Sequence, residues 1–99
     1  MPRKSKPRGN CYVTCEALFH LLGGKAAGYV PHRLRHEGDT HWYLVRRLFR
    51  VSGTQELIID PTASQFKTLP DYSQGRGAGF MTKRPSKRAR EMMDRMVWQ

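Results

Sequence analysis

The chain has 99 residues, of which 38% are hydrophobic, and a formal net charge of +10. This length predicts one domain with a small core, because a chain of this size buries only about two thirds of the surface that it exposes when unfolded. A partner or a homodimer would add stability. No apolar run approaches the ~20 residues of a membrane span, and no hydrophobic stretch of signal-peptide length follows the basic N-terminus. We therefore expect a cytoplasmic protein that does not associate with membranes.

The positive charge is concentrated at the two ends of the chain. Residues 1–10 carry four bases and no acid, and residues 76–99 carry seven bases against two acids, which leaves a net charge of +1 for the middle. Basic segments attract polyanions and acidic protein surfaces. The simpler alternative is that they only keep a small chain in solution. Nucleic acid and an acidic protein are therefore the candidate partners of the basic ends.

The N-terminal region predicts an arm followed by a helix. Residues 1–8 contain two prolines and four bases, so we expect a flexible basic arm. From Cys11 to Leu22 the apolar residues recur at steps of three and four, which predicts an amphipathic helix. Asn10 is its expected N-cap, and the Gly-Gly pair after Leu22 is expected to end it. A short strand is predicted at 28–31.

A β-hairpin is predicted next along the chain. Residues 41–51 are rich in aromatic and β-branched side chains and predict a strand, 52–55 predict a turn, and 56–60 predict the returning strand. This hairpin brings His41 and Asp60 to corresponding strand ends. Since the two strands differ in length, a bulge or a longer turn is expected between them.

The C-terminal third predicts a loop and a helix. Residues 62–79 are rich in Gly, Ser and Gln and predict a surface loop with a short extended piece at 64–67. Ser86 is the expected N-cap of a final helix with one apolar stripe. Core packing is the favoured interpretation of this stripe, and docking on a partner is the alternative, because methionine adapts to many binding surfaces. The stripe comprises Ala89, Met92, Met93, Met96 and Val97.

Together these elements predict an α+β fold. An N-terminal helix packs on a small antiparallel sheet, and a C-terminal helix follows. The predicted organisation is the arm at 1–8, a core at 9–79 and a basic helical segment at 80–99.

Cys11, His41 and Asp60 are the candidate catalytic residues. A thiol attacks a carbonyl carbon as the thiolate, so it needs a base beside it, and the base needs a carboxylate that orients it. In the first turn of a helix, Cys11 would lie at the positive end of the helix dipole, beside free N–H groups that favour the thiolate and stabilise an oxyanion. Taken singly, the three residues have simpler interpretations, as a buried helix residue, a strand histidine bonded to the backbone and a turn-forming carboxylate.

Three short motifs resemble one enzyme family when they are taken together. Gly9-Asn10-Cys11-Tyr12, Thr40-His41-Trp42 and Ile58-Ile59-Asp60-Pro61-Thr62 resemble the transglutaminase-like branch of the papain-like cysteine enzymes over residues 9–62. The resemblance implies a minimal papain-like or transglutaminase-like core with Cys as nucleophile, His as base and Asp as the residue that orients the base. It also implies a protein or peptide amide substrate and no cofactor or metal. Known members usually carry more sheet and additional helices.

These observations predict a cysteine-dependent acyl-transfer or amide-hydrolysing enzyme. A peptidase, an isopeptidase, a deamidase and a transglutaminase-like enzyme would all act through a thioester on Cys11. The alternative is a small, basic, non-catalytic binding protein that docks nucleic acid or an acidic protein. The compact size also suits a phage-encoded protein that acts on a host factor.

Papain-like enzymes usually add a side-chain donor to the oxyanion hole. Asn10, Gln65 and Gln74 are chemically suitable, and the sequence does not choose among them. His20 is predicted to be a surface or edge residue.

A zinc site and a disulfide are the other uses of these residue types. His32 and His36, with His41 and a cysteine, have ligand chemistry that zinc accepts, but their spacing matches no compact zinc pattern. Cys15 is predicted to pack in the core, since a bond to Cys11 is poorly compatible with an intact helix. Two cysteines this close together indicate reduced thiols.

Overall fold

The computed structural model describes residues 11–80 and 83–97, apart from the side chain of Gln65. An N-terminal helix, a four-stranded antiparallel sheet and a C-terminal helix confirm the predicted α+β fold. The elements are α1 (Cys11–Leu21), β1 (Tyr29–His36), β2 (Asp39–Arg50), β3 (Gly53–Ile59), β4 (Arg76–Gly77) and α2 (Lys87–Val97). The sheet order is β3-β2-β1-β4. Neither helix in the described part of the chain has the length and apolarity to cross a bilayer.

Helix α1 has the bounds that its apolar periodicity predicts. It begins at Cys11, and its end is set by Gly23 and Gly24, which have positive φ angles of 104° and 65°. Glycine adopts this left-handed backbone without the steric cost that a Cβ atom imposes. A short 3₁₀ turn over Gly24–Ala27 then leads into the sheet. The predicted arm at 1–8 and the predicted N-cap Asn10 lie outside the described residues.

Strand β1 is longer than the strand predicted at 28–31. It pairs with β2 from Tyr29↔Arg46 to His36↔Asp39 through a tight turn at Glu37 and Gly38. Both turn residues have positive φ angles, 50° and 80°, the signature of a two-residue hairpin turn that matches the twist of its strands. Arg33 and Arg35 are exposed on the same face of β1 as the buried Tyr29 and Pro31, and these charges hid the strand pattern in the sequence.

The hairpin of β2 and β3 also turns more tightly than predicted. Arg50 pairs with Gly53, so the turn is Val51 and Ser52, and the expected turn at 52–55 is wrong. Pairing runs unbroken to Leu44↔Ile59, and no bulge is needed. Asp60 follows the last residue of β3.

The sheet carries a cluster of buried side chains on each face. Successive strand residues point to opposite faces, so Trp42 and Tyr43 belong to different clusters. One cluster comprises Cys11, Cys15 and Trp42, with Tyr12, Ala78 and Phe80 packed against it. The other comprises Leu34, Tyr43 and Val45, with Tyr72 packed against it.

Residues 62–79 contain more structure than the predicted loop. The expected extended piece at 64–67 is wrong, because Ala63–Gln65 form a 3₁₀ turn. A second 3₁₀ turn, Tyr72–Gln74, precedes β4. Between them, Gly75 passes so close to Tyr43 that a Cβ atom there would collide with the tyrosine hydroxyl. This close approach requires glycine.

Helix α2 docks on α1 through a buried carboxylate. Glu16 is 1% exposed and accepts hydrogen bonds from the backbone N–H of Ser86 (2.8 Å) and from its hydroxyl (2.9 Å). The Ser86 hydroxyl oxygen accepts from the N–H of Ala89 at 3.2 Å, which confirms Ser86 as the N-cap. In the apolar stripe Ala89 is buried, the three methionines are partly buried, and Val97 is 57% exposed.

Replacing Glu16 with Gln is expected to destabilise the fold by about 1–3 kcal/mol, because Gln keeps only one acceptor oxygen for the two Ser86 donors and the remaining hydrogen bond is no longer charge-assisted. Urea unfolding followed by circular dichroism measures this change. Glu56→Gln is the matched control, since the Glu56 side chain is 53% exposed in its pair with Arg47 and such surface pairs contribute little. Equal effects of the two substitutions would show that Glu16 does not hold α2 in place.

Candidate active site

Cys11 is the first residue of α1 and is completely buried. Its Sγ lies 3.3 Å from Nδ1 of His41, within hydrogen-bond reach of the imidazole that the sequence predicts to be its base. The N–H groups in the first turn of a helix have no intrahelical acceptor, and the helix dipole is positive there. Both features favour negative charge on the sulfur atom.

His41 connects the thiol to Asp60. Its Nε2 lies 2.7 Å from Oδ2 of Asp60, and the two side chains are 0% and 4% exposed. His41 lies near the start of β2, and Asp60 follows β3 on the side of the sheet to which His41 and Tyr43 point. The sheet register therefore brings His41 and Asp60 together, and α1 adds Cys11, so the three residues predicted from the sequence are in contact.

Asp60 is held in place by two further donors. The hydroxyl of Tyr72 donates to Oδ2 at 2.6 Å, and the backbone N–H of Thr62 donates to Oδ1 at 3.3 Å. Burial and the hydrogen bond to Asp60 raise the pKa of Tyr72, so its hydroxyl keeps the proton that it donates. No sequence signal marked Tyr72, because it lies in an irregular segment. Thr62 belongs to the Asp-Pro-Thr motif.

Thr62 and Phe66 complete the immediate surroundings of the thiol and the imidazole. The Thr62 hydroxyl donates to Cys11 Sγ at 3.4 Å, a hydrogen bond that favours the ionised sulfur. The ring of Phe66 meets the His41 ring edge to face at 4.6 Å between centroids. These contacts fix the imidazole in an apolar enclosure between its two polar partners.

The surroundings of His41 favour the protonated imidazole. Burial alone would lower its pKa, but the hydrogen bonds and charges of Asp60 and Cys11 outweigh burial and raise the pKa from 6.5 to about 9. At neutral pH the geometry therefore supports an imidazolium between a carboxylate and a sulfur that can carry negative charge.

Cys15 has the opposite character, although it lies one turn from Cys11 on the same helix. It is equally buried, and burial, followed by the negative charges of Asp60 and Cys11, raises the pKa of its thiol. Both cysteines are free thiols. Cys15 is thus a neutral packing residue, as predicted.

The remaining histidines of the zinc alternative lie apart from this arrangement. Nδ1 of His32 lies 3.2 Å from the carbonyl of Val30, and Nε2 of His36 lies 2.9 Å from the carbonyl of Thr68. Within residues 11–80 and 83–97, no three His, Cys, Asp or Glu side chains are grouped so as to hold a metal ion.

Of the three candidate side-chain donors to the oxyanion hole, only the Gln74 side chain lies in the described part of the chain. The Gln74 amide is exposed and donates to Oδ2 of Asp71 at 3.3 Å, which directs it to its own turn. Asn10 and the side chain of Gln65 lie outside the described part of the chain. The backbone N–H groups at the start of α1 are therefore the donors that the described structure offers to an oxyanion.

An apolar cleft of about 670 Å³ lies between the end of α1 and the segment around β4. Phe80 lines the cleft and also contacts Tyr12, the neighbour of Cys11, at 5.3 Å between ring centroids. His20, predicted as a surface or edge residue, also lines the cleft, and its buried Nε2 has no hydrogen-bond partner among the described residues. The cleft therefore adjoins the aromatic cluster that packs on the thiol.

Comparisons of the chain with protein-family models, with curated proteins and with solved structures found no match. Functional inferences for this chain therefore rest on its sequence motifs and on the geometry of its own residues.

The pairing of His41 with Asp60 is expected to make folding stability depend on pH. The pKa of His41 is higher in the folded protein than in the unfolded chain, so protonation of His41 stabilises the fold. This contribution to the free energy of unfolding is complete below pH 6.5 and is lost as the pH rises towards about 9. Since Cys11 also titrates, the measurement uses the Cys11→Ala background, with Cys11→Ala/His41→Gln as reference. In this background only Asp60 raises the His41 pKa, so the difference in unfolding free energy between the two is expected to fall by about 1–2 kcal/mol as the pH rises from 6.5, with the fall complete by pH 9.5. Parallel pH profiles would contradict a charged His41.

Proposed function

We propose that this chain is a cysteine-dependent enzyme that attacks an amide carbonyl through Cys11, with His41 as base and Asp60 as the residue that orients the base. One observation carries the proposal: an unbroken series of contacts, 3.3 Å and 2.7 Å long, joins a helix-start thiol to an imidazole and a carboxylate. The resemblance of the three motifs to transglutaminase-like enzymes supports it. A peptidase, an isopeptidase, a deamidase and a transglutaminase-like acyltransferase share this first step.

The proposed reaction has two halves. The Cys11 thiolate adds to the amide carbonyl carbon, and the N–H groups at the start of α1 stabilise the oxyanion. The C–N bond then breaks, the leaving amine takes the proton from His41, and a thioester remains on Cys11. Water or a second amine, deprotonated by His41, attacks the thioester, and the sulfur leaves as thiolate. Asp60 orients the imidazole in both halves.

Substrate access requires movement around the thiol. Cys11 has no exposed surface, and the Thr62 hydroxyl contacts its sulfur atom. A carbonyl carbon must come within about 3–3.5 Å of the nucleophile. The proposal therefore includes an open state in which the Thr62 segment or the aromatic residues around Cys11 move aside.

The complete burial of Cys11 also favours the second candidate function, a non-catalytic binding protein. Buried ionisable groups also form structural networks that perturb one another's pKa values. In this alternative the Cys11–His41–Asp60 series only stabilises the fold, and the basic surfaces dock a nucleic acid or an acidic protein.

Thiol labelling distinguishes the two candidates because Cys11 and Cys15 are equally buried. Iodoacetamide modification is followed by mass spectrometry of the two cysteine-containing sites between pH 5 and 9. Cys11 is expected to label at least tenfold faster than Cys15 at pH 6, because a helix start and a protonated imidazole lower the pKa of a thiol from ~8.5, whereas burial raises the pKa of Cys15. His41→Ala is expected to remove this advantage by raising the Cys11 pKa.

Asp60→Asn serves as the matched variant that preserves side-chain size. With p-nitrophenyl acetate as probe, the variant is expected to retain acylation of Cys11 and to hydrolyse the thioester more slowly than wild type, because the imidazole is less well oriented. Equal labelling of the two cysteines, with no dependence on His41, would overturn the enzyme proposal in favour of the binding protein.

A further inference from the structure

Three arginines converge on one face of the sheet, beside the elements that hold the thiol. Arg33 lies directly opposite Arg76 in the pairing of β1 with β4, and Arg35 lies two residues along β1 on the same face. All three are exposed and line a cleft of about 450 Å³. Thr40 and Gln74 also line it, and the Gln74 amide donates to Asp71 of its own turn at 3.3 Å. The arginines and the Thr40 hydroxyl are therefore the donors that the cleft offers to a ligand.

The positive charges of these three arginines are not neutralised by ion pairs with carboxylates in the described part of the chain. Like charges directly opposite each other on neighbouring strands are destabilising. Among the described residues, no carboxylate forms an ion pair with any of the three arginines. The acids nearest along the chain accept hydrogen bonds from backbone amides: Glu37 from Lys67 and Thr68, and Asp39 from Thr40. An external anion would relieve the repulsion.

The cleft lies close to the candidate nucleophile. Trp42 is the cross-strand partner of Arg33 and packs in one cluster with Cys11. Since neighbouring strands lie about 4.8 Å apart, Arg33 and Arg76 are roughly 5 and 10 Å from Trp42 across the sheet. An extended peptide advances about 3.3 Å per residue, so a span of about three residues reaches from either arginine strand position to that of Trp42, whose side chain packs with Cys11.

We infer that this cleft, which we call the arginine cleft (Arg33, Arg35, Thr40, Gln74 and Arg76), binds Asp or Glu carboxylates of the protein substrate on the same chain segment as the amide attacked. The inference rests on the proposed function for its link to catalysis. Guanidinium groups match carboxylates in planar, bidentate hydrogen bonds. Among residues 11–80 and 83–97, no aromatic ring on which nucleic-acid bases could stack lines the cleft, which favours an acidic peptide over a single-stranded nucleic acid.

The test measures binding without turnover. Fluorescence anisotropy at physiological ionic strength follows three labelled probes on the Cys11→Ala protein: a decapeptide of alternating Ala and Glu, its Gln counterpart, and an oligouridine of equal length. The Glu peptide is expected to bind at least tenfold more tightly than the Gln peptide. Arg33→Gln or Arg76→Gln is expected to remove this preference, and the matched control Arg50→Gln, at the far hairpin, is expected to change the affinity less than twofold.

A folding measurement accompanies the binding test. Because Arg76→Gln relieves the repulsion with Arg33, its thermal midpoint is expected to equal or exceed that of the parent protein while binding is lost. A lower midpoint with unchanged binding would overturn the inference.

The outcomes separate this inference from the proposed function. Arginine-dependent preference for Glu together with an unreactive Cys11 would support the arginine cleft and overturn the enzyme. A reactive Cys11 with equal binding of the Glu and Gln peptides would overturn the cleft alone. Tighter, arginine-dependent binding of oligouridine would overturn the assignment to an acidic protein segment.

Discussion

The buried contact between His41 and Asp60 is the interaction on which the site depends. A charged pair with almost no solvent exposure is stable only if its remaining hydrogen-bonding capacity is satisfied, and breaking such a pair by removing one partner typically costs about 3–5 kcal/mol. Here Tyr72 and Thr62 donate to the carboxylate, and the second imidazole nitrogen faces the Cys11 sulfur. The network therefore fixes which ring nitrogen faces the thiol, and it raises the His41 pKa well above its usual value.

The small fold serves this network through two constraints. The unbroken register of β2 with β3 brings Asp60 beside His41, and the packing of Cys11 and Cys15 on Trp42 anchors α1 at the same end of the sheet. The buried Glu16 ties the start of α2 to α1. Because the protein has only 99 residues and two small clusters of buried side chains, each of these contacts is a large part of its stability.

The sequence predicted the elements whose signals are local. Apolar periodicity with glycine after it located α1, Ser86 located α2, and the β-rich runs located the hairpin that brings His41 to Asp60. The sequence-based prediction failed where a local signal was ambiguous. Gly53 is predicted to lie in a turn because glycine is common in turns, but it is the first residue of β3. The prediction also missed the pairs of Glu16 with Ser86 and of Tyr72 with Asp60, because the contacts of a buried polar residue depend on the folded arrangement and no periodicity records them.

The most direct test of this account is the protonation state of the His41 imidazole in the wild-type protein, measured by nitrogen NMR between pH 5 and 10. The account predicts that both ring nitrogens carry protons at pH 8, that deprotonation occurs near pH 9, and that Asp60→Asn moves deprotonation to lower pH. A His41 that loses its proton near or below pH 6.5, unaffected by Asp60→Asn, would show that the three residues are neighbours without a shared charge, and would contradict the account.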